Sequence, residues 1–334
     1  MIGRSLHLLN LILLTSILFV VLVVAGLYFW LNHELPQLPK NLQHINLSLP
    51  TEIYSSDGER IKVLGERHPV ALEDIAPYFT KAIIVVEDSR FYLHSGIDHK
   101  GLVRALWTNL RQKRIAQGGS TITQQLSKNL FFSFERNWVR KIKELLIAFQ
   151  LEASFSKGQI LQAYCNQIYF GSGAYGVEEA AQVYFRKRAK DLTLYQAALL
   201  AGLPNSPNNA NPFAHYGRAM QRTKYVLNRM VSENLISLDE KELALQSDID
   251  LVKPRVESIP NLYFVDQVLE QIEKVYGKEF AHFGGLKIVT TLDTRYQKLA
   301  FKSARNHLEA LENRIVKERG ASPLQVALVA IENK

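Results

Sequence analysis

The chain opens with an unbroken apolar stretch. Between Ser5 and His33 there is no Asp, Glu, Lys or Arg, and Leu8 to Leu31 is almost continuously apolar. About 24 residues at 1.5 Å each make a helix of roughly 36 Å, which crosses a bilayer with some tilt. Tyr28, Phe29 and Trp30 stand where an aromatic belt would sit. Arg4 and the amino terminus precede the run, so positive-inside orientation predicts that the rest of the chain lies outside the cytoplasm. A cleaved signal peptide would have a shorter run and a small-x-small site, which does not follow Ala25-Gly26. Pro36 to Pro39 and Ser48 to Pro50 then predict an extended spacer. Alternating segments between Glu52 and Leu64 flank Asp57-Gly58 and predict a hairpin.

From Pro69 the period becomes helical. Leu102, Val103, Leu106, Trp107 and Leu110 fall on one helical face; so do Trp138, Ile142, Leu145, Leu146 and Phe149, and later Val226, Leu227, Met230 and Val231. Gly202 and Pro204 stop one helix. Another helix is predicted from Tyr263 to Tyr276, a strand from Leu286 to Leu292, a helix from Asp293 to about Val316, and a strand from Val326 to Ile331.

A length of 334 residues allows one large domain or two modest ones with appendages, and 47% apolar against 22% charged residues is enough to bury a core. The net charge of +8 favours an anionic partner, which can be nucleic acid, a membrane surface or a phosphorylated substrate. The single cysteine, Cys165, excludes an internal disulfide framework and a cysteine-rich metal site.

Three segments carry candidate chemistry. Ile83 to Gly96 ends an apolar run in Glu87 and Asp88, followed by Phe91 and His94. A carboxyl at the end of a buried segment is poorly solvated, which raises its pKa and suits a general acid or base. The alternative is a pair of carboxylates that caps or salt-bridges neighbouring elements, with His94 as a structural hydrogen-bonding residue. In Gln117 to Asn129, Gly118 and Gly119 permit close backbone approach, Ser120 or Thr121 can cap the next helix, and Thr121 and Gln124 are spaced as a capping box. A helix start of this kind favours an anion, and Lys128 adds a cation one to two turns on; an ordinary capped helix fits the segment equally. In Arg136 to Ala148, Arg136, Arg140, Lys141 and Lys143 surround Glu144. Arg140 and Glu144 are spaced to pair along a helix, and the same cations could face a phosphate leaving group beside a second carboxylate.

Together these segments resemble the peptidoglycan glycosyltransferase (transglycosylase) domain of class A penicillin-binding proteins and monofunctional transglycosylases. The E-D-x-x-F-x-x-H-x-G pattern is met by Glu87, Asp88, Phe91, His94 and Gly96. G-G-S-T-I-T-Q-Q is met from Gly118 to Gln125, and R-K-x-x-E by Arg140, Lys141 and Glu144. Lys157 to Gly171 with Tyr175-Gly176-Val177, and Ala197 to Pro207 with Asn211-Pro212, complete five motifs in order. Three positions depart from the pattern. Cys165 stands for a Leu, Arg186 for a Gly and Gln196 for an acid, and the last is expected to loosen local packing.

The resemblance implies a mainly α, lysozyme-like helical domain over residues 75–236. It would lie behind a cytoplasmic stub and transmembrane anchor (1–34) and an extended or β juxtamembrane segment (35–74), and before a small α+β linker region (237–334) that begins a transpeptidase-like domain. It implies polymerisation of lipid II at a bacterial inner membrane, in a single-pass type II protein with its catalytic domain outside the cytoplasm. The partners would be lipid II, lipid-linked glycan and other cell wall synthesis proteins, and not nucleic acid. Glu87 would be the base and Glu144 would assist departure of undecaprenyl pyrophosphate, directly or through a divalent cation such as Mg or Mn; no cofactor is otherwise required. Asp88, Ser120, Thr121, Gln124, Gln125, Lys128, Asn129, Arg136, Arg140 and Lys143 would hold substrate. Ser154-x-x-Lys157 has the form of a penicillin-acylated serine motif, but it falls inside the glycosyltransferase motifs and no Lys-Thr-Gly or Lys-Ser-Gly occurs, so no transpeptidase activity is expected of this sequence. A lytic hydrolase and a non-catalytic scaffold are the rival readings. The Gly118-Gly119 segment and the cations around Glu144 speak against the first, and the intact glutamates against the second.

Overall fold

A computed structural model of the chain describes residues 50–65, 67–112, 118–132, 138–252, 262–277 and 284–319, with isolated positions between 14 and 42 and at 281. Of the predicted anchor, positions 14–19, 21–22 and 26 are described and are helical. Among the described residues no helix is long and apolar enough to cross a membrane. The strand predicted from Val326 lies outside them.

Contacts divide the chain into two units: Met1–Ile45 with His68–Ser172 and Gly176–Asp250, and Asn46–Arg67 with Gly173–Tyr175 and Leu251–Lys334. The first is helical. Helix α1 (Pro77–Glu87) starts on a proline, whose missing N–H costs nothing at that position. It is followed by α2 (His99–Gln112), α3 (Ile122–Phe131), α4 (Trp138–Ser154), α5 (Lys157–Gln167), α6 (Val177–Phe185), α7 (Leu194–Gly202), α8 (Tyr216–Ser232) and α9 (Leu238–Gln246). Polar caps set the starts: Ser156 with Gln159, Thr193 with Gln196 and Ser237 with Glu240 each form a reciprocal capping box at α5, α7 and α9. Gly176 opens α6 at φ 83°, where a Cβ would stand 2.8 Å from the Asn166 carbonyl, so only glycine fits.

Helix α7 packs on α1 and α8, and α3 packs on α4 and α5. Phe79, Ile83, Ile122, Leu126, Ile147, Leu151, Ile160, Tyr164 and Tyr184 are fully buried between them. At about 1.5–3 kcal/mol for each large apolar side chain removed from water, this core is what holds the polar ends of α1, α3 and α4 together.

Two expectations need correction. The apolar stripe read on α4 is not its inward face. Trp138 is 87% and Phe149 45% exposed, while Glu144, Ile147, Ala148 and Leu151 are buried. The inward face carries a carboxylate, so hydropathy periodicity misplaces it. The α2 stripe is likewise mostly exposed, at Leu102, Val103, Trp107 and Leu110. Nor does Gln196 loosen its surroundings. Fully buried, it donates from Nε2 to the Ile249 carbonyl (3.1 Å) and accepts at Oε1 from Thr193 N (3.2 Å). A carboxylate there could not make the first bond.

In the second unit β1 (Thr51–Tyr54) and β2 (Arg60–Leu64) form the predicted antiparallel hairpin, and β3 (Lys287–Val289) adds to β1 in parallel, giving the order β2-β1-β3. Ile53, Leu64 and Val265, the last from α10 (Leu262–Tyr276), form its core. Asp57 in the hairpin turn accepts from the Thr294 hydroxyl (2.6 Å) at the start of α11 (Thr294–Arg319).

Candidate active site

Helix α1 delivers its last residue, Glu87, and its C-cap, Asp88, into different surroundings. Glu87 Oε2 accepts from Gln125 Nε2 on α3 at 2.9 Å. Glu87 Oε1 is buried and accepts no hydrogen bond among the described residues. Burial pushes the Glu87 carboxyl above the ordinary carboxylate range. The Gln125 bond and the positive charges of Arg222 and Lys128 oppose this, the Asp88 charge reinforces it, and desolvation wins.

Asp88 is buried, with both carboxylate oxygens 3.0 Å from His94 Nε2, and Oδ2 also accepts from the backbone N–H of Ile122 (3.0 Å), in the first turn of α3. A carboxylate at a helix N-terminus is stabilised by the helix dipole and by N–H groups that would otherwise lack partners. Thr121 is the N-cap, accepting from Gln124 N (3.2 Å) and donating to the Gly96 carbonyl (2.6 Å). The capping box predicted for Thr121 and Gln124 is only half made, because Gln124 Nε2 turns instead to the Gly96 carbonyl (3.3 Å). Asp88, Thr121 and Gln124 therefore face inward and tie the end of α1, the 94–96 loop and the start of α3 to one another.

The third segment forms a charge cluster. Glu144 is buried on α4; Arg140 Nη1 donates to its Oε1, and Lys141 Nζ to its Oε2 at 3.1 Å. Lys141 also reaches Ser120 Oγ (3.3 Å), just before α3, and Ser127 Oγ donates to the Glu144 carbonyl (3.0 Å), pinning α3 to α4. Two cations thus bear on this one carboxylate. Lys128 is exposed on α3, while Asn129 and Lys143 are half-buried. Arg136 lies outside the described residues. Both Glu144 oxygens are engaged by the cations of Arg140 and Lys141.

Two neighbours of Glu87 carried no chemical assignment in the sequence. Tyr164, fully buried on α5, donates to Gln125 Oε1 (3.1 Å); it sits within a recognised motif, but its spacing says nothing of what it touches. Arg222 comes from α8, lies over the Tyr225 ring and donates to the Gly202 carbonyl (3.3 Å), and no local pattern distinguishes it from other basic residues of that helix. Lys157 Nζ bonds Glu152 (2.8 Å) and stands 4.4 Å from the centre of the Phe91 ring, while Ser154 is exposed at the end of α4.

A family profile described as Transglycosylase matches residues 57–231. Penicillin-binding protein 1A of Aquifex aeolicus (strain VF5) is 44% identical over 273 residues, which is 81% of this chain and 37% of that protein. The protein of that name from Vibrio cholerae serotype O1 is 38% identical over 312 residues, covering 90% of this chain and 37% of its own length. A crystal structure of Penicillin-Binding Protein 1A from Haemophilus influenzae matches at 27% identity with a TM-score of 0.42, over 86% of this chain and 33% of that one. The chain thus spans a little over a third of the length of the curated relatives it matches.

Proposed function

This chain belongs to the transglycosylase family, and we propose that it is a peptidoglycan glycosyltransferase that polymerises lipid II into glycan strands at the outer face of a bacterial cytoplasmic membrane. The observation that carries the reading is Glu87: a carboxylate held from one side by Gln125, with its other oxygen sealed from water and unpartnered, and with its proton affinity raised by burial. Such a group is built to take a proton rather than to form a salt bridge.

In the reaction the 4-hydroxyl of an incoming lipid II gives its proton to the Glu87 carboxylate as its oxygen bonds to the anomeric carbon of the donor. The bond from that carbon to the pyrophosphate breaks, and the electron pair leaves with undecaprenyl pyrophosphate. Arg140 and Lys141, held in place by Glu144, present positive charge to the departing phosphates, and Lys128 adds to that field. Asn129, Lys143, Ser120 and Arg136 complete the substrate-binding set in this reading. Asp88, Thr121 and Gln124 serve it indirectly, by fixing the loop and helix that carry the others. No step passes through a metal ion.

The apolar stretch from Leu8 to Leu31 holds the chain at the membrane, where its substrate is tethered, and deleting residues 1–33 should move the protein out of the membrane fraction. Incubation of the chain with lipid II, with products separated by size, tests the whole reading. Long glycan chains are expected from the parent, with turnover falling roughly 10²- to 10⁴-fold in Glu87→Gln. Shortened preformed glycan would indicate a hydrolase instead, and undiminished polymerisation by the variant would remove Glu87 from the mechanism.

A further inference from the structure

We infer that Tyr164 is a positioning residue for the base: its hydroxyl fixes the orientation of the Gln125 side-chain amide and so determines which face of that amide Glu87 meets. The inference rests on the role given to Glu87 above and goes beyond it, since Tyr164 lies one layer behind the reacting atoms.

A primary amide has two unlike ends, one that donates and one that accepts. Gln125 can present either a donor or an acceptor to Glu87 by turning half a revolution about its last bond. With Nε2 toward Glu87 it stabilises a carboxylate. With Oε1 toward Glu87 it repels a carboxylate and fits only the protonated acid. The structure holds the first arrangement, with Nε2 2.9 Å from Glu87 Oε2 and Oε1 accepting from the Tyr164 hydroxyl at 3.1 Å. Turning the amide over would face its NH2 toward Tyr164. The phenol would then have to accept rather than donate, leaving its own O–H without that acceptor in a fully buried position.

Tyr164 keeps its proton under all working conditions, because burial, with the Glu87 charge next, pushes its pKa well above the usual phenol value. The chain O–H to C=O, then N–H to carboxylate, runs in one direction, and each bond polarises the next. Its effect is to keep the Glu87 carboxylate ionised and ready to accept a proton while Oε2 stays anchored.

Other charges also face Glu87. Asp88 follows it in sequence, Lys128 approaches from α3 and Arg222 from α8. Helix α7 also packs on α1, and its one titratable side chain, Tyr195, turns its hydroxyl to Met220 Sδ (3.5 Å). Among the described residues the Gln125 amide is bonded to Glu87 and Tyr164 and to none of these groups, so the Tyr164 hydroxyl can be removed while the charges stay.

The test is a double-mutant cycle on the full chain, read at Glu87 itself. Protein labelled with ¹³C-carboxyl glutamate is titrated by NMR, the Glu87 resonance being identified by its loss in Glu87→Gln, and kcat for lipid II polymerisation is followed against pH in parallel. Tyr164→Phe keeps the ring and removes the hydroxyl. It should raise the proton affinity of Glu87 roughly three- to ten-fold and move the acid limb of kcat to higher pH, with KM little changed. Gln125→Met, which has no donor, should do the same or more, and Tyr164→Phe added to Gln125→Met should change the titration no further, because Tyr164 acts through the amide. An unaltered Glu87 titration in Tyr164→Phe overturns the inference, as does an equal change in both backgrounds. The NMR titration does not depend on turnover. Normal polymerisation by Glu87→Gln would refute the catalytic reading while leaving this result separately visible.

Discussion

Replacing Asp88 by Asn separates two roles for the residue beside the base. If Asp88 bound substrate, the change would raise KM and leave the fold alone. The structure predicts the reverse. Asp88 is buried, its carboxylate takes a bond from the Ile122 N–H in the first turn of α3, and both oxygens lie 3.0 Å from His94 Nε2. Asparagine has nearly the same shape but only one acceptor oxygen, so its NH2 must oppose one of those two donors. The lost hydrogen bond to a charged group is worth about 1.5–3 kcal/mol, and the lost anion at a partly buried helix N-terminus about 0.3–2 kcal/mol. The two overlap, so about 2–4 kcal/mol is expected in total. For a unit of this size each kcal/mol moves Tm by about 2–4 °C, so the helical unit should melt roughly 5–12 °C lower. Thermal unfolding followed by circular dichroism, beside KM for lipid II on the folded variant, is the assay. A Tm within about a degree of the parent together with a tenfold higher KM would refute the reasoning and return Asp88 to the substrate.

Glu87→Gln should gain stability as it loses activity. The folded state binds the Glu87 proton more tightly than the unfolded chain does, so ionising that carboxyl costs stability as pH rises from the ordinary carboxylate range through the raised folded value. The variant should therefore melt above the parent at pH 7 and with it near pH 4, and equal melting at both pH values would count against the raised proton affinity. Arg140→Ala and Lys141→Ala should each lower kcat/KM for lipid II roughly ten- to a hundred-fold, read from initial rates, since each removes a charge-assisted contact; unchanged rates in both would mean that the cluster only braces α4. Arg186 sits at φ 53°, ψ 37° as the C-cap of α6, so Arg186→Gly should raise stability by about 0.5–1 kcal/mol in chemical denaturation, against which a lower midpoint would argue. A fluorescent β-lactam should leave Ser154 unlabelled, because the lysine that would activate it is bonded to Glu152; a band lost in Ser154→Ala would contradict this.

What the linear sequence made legible was what local chemistry writes into it. The hairpin around Asp57-Gly58, the stop of α7 at Gly202, and the two glutamates at the ends of recognisable segments all follow from neighbours a few residues apart. The inward face of α4 is hidden from the hydropathy pattern because its central buried residue, Glu144, is charged. The bonds of Asp88 to Ile122, of Gln125 to Glu87 and of Tyr164 to Gln125 join residues more than thirty positions apart. Nothing in their spacing announces them, and the same holds for Arg222. Cys165 was legible as a tolerated apolar swap and is a fully buried thiol, with burial pushing its pKa up to about 12.

The parallel pairing of β1 with β3 has a consequence for how the chain is made. Leu286 N, which bonds Thr51 Oγ1 at the start of this pairing, follows that residue by 235 positions. At a synthesis rate of about 5–20 residues per second, roughly 10–50 s separate the two on the ribosome. The whole helical unit emerges in that interval, so it can finish folding before β1 meets its last neighbour. Even as a loose coil, so long an excursion would cost only about 0.6 kcal/mol more to close than one half its length. Until then the β1 edge is an open template, and its length of only 4 residues makes it a poor one for strangers.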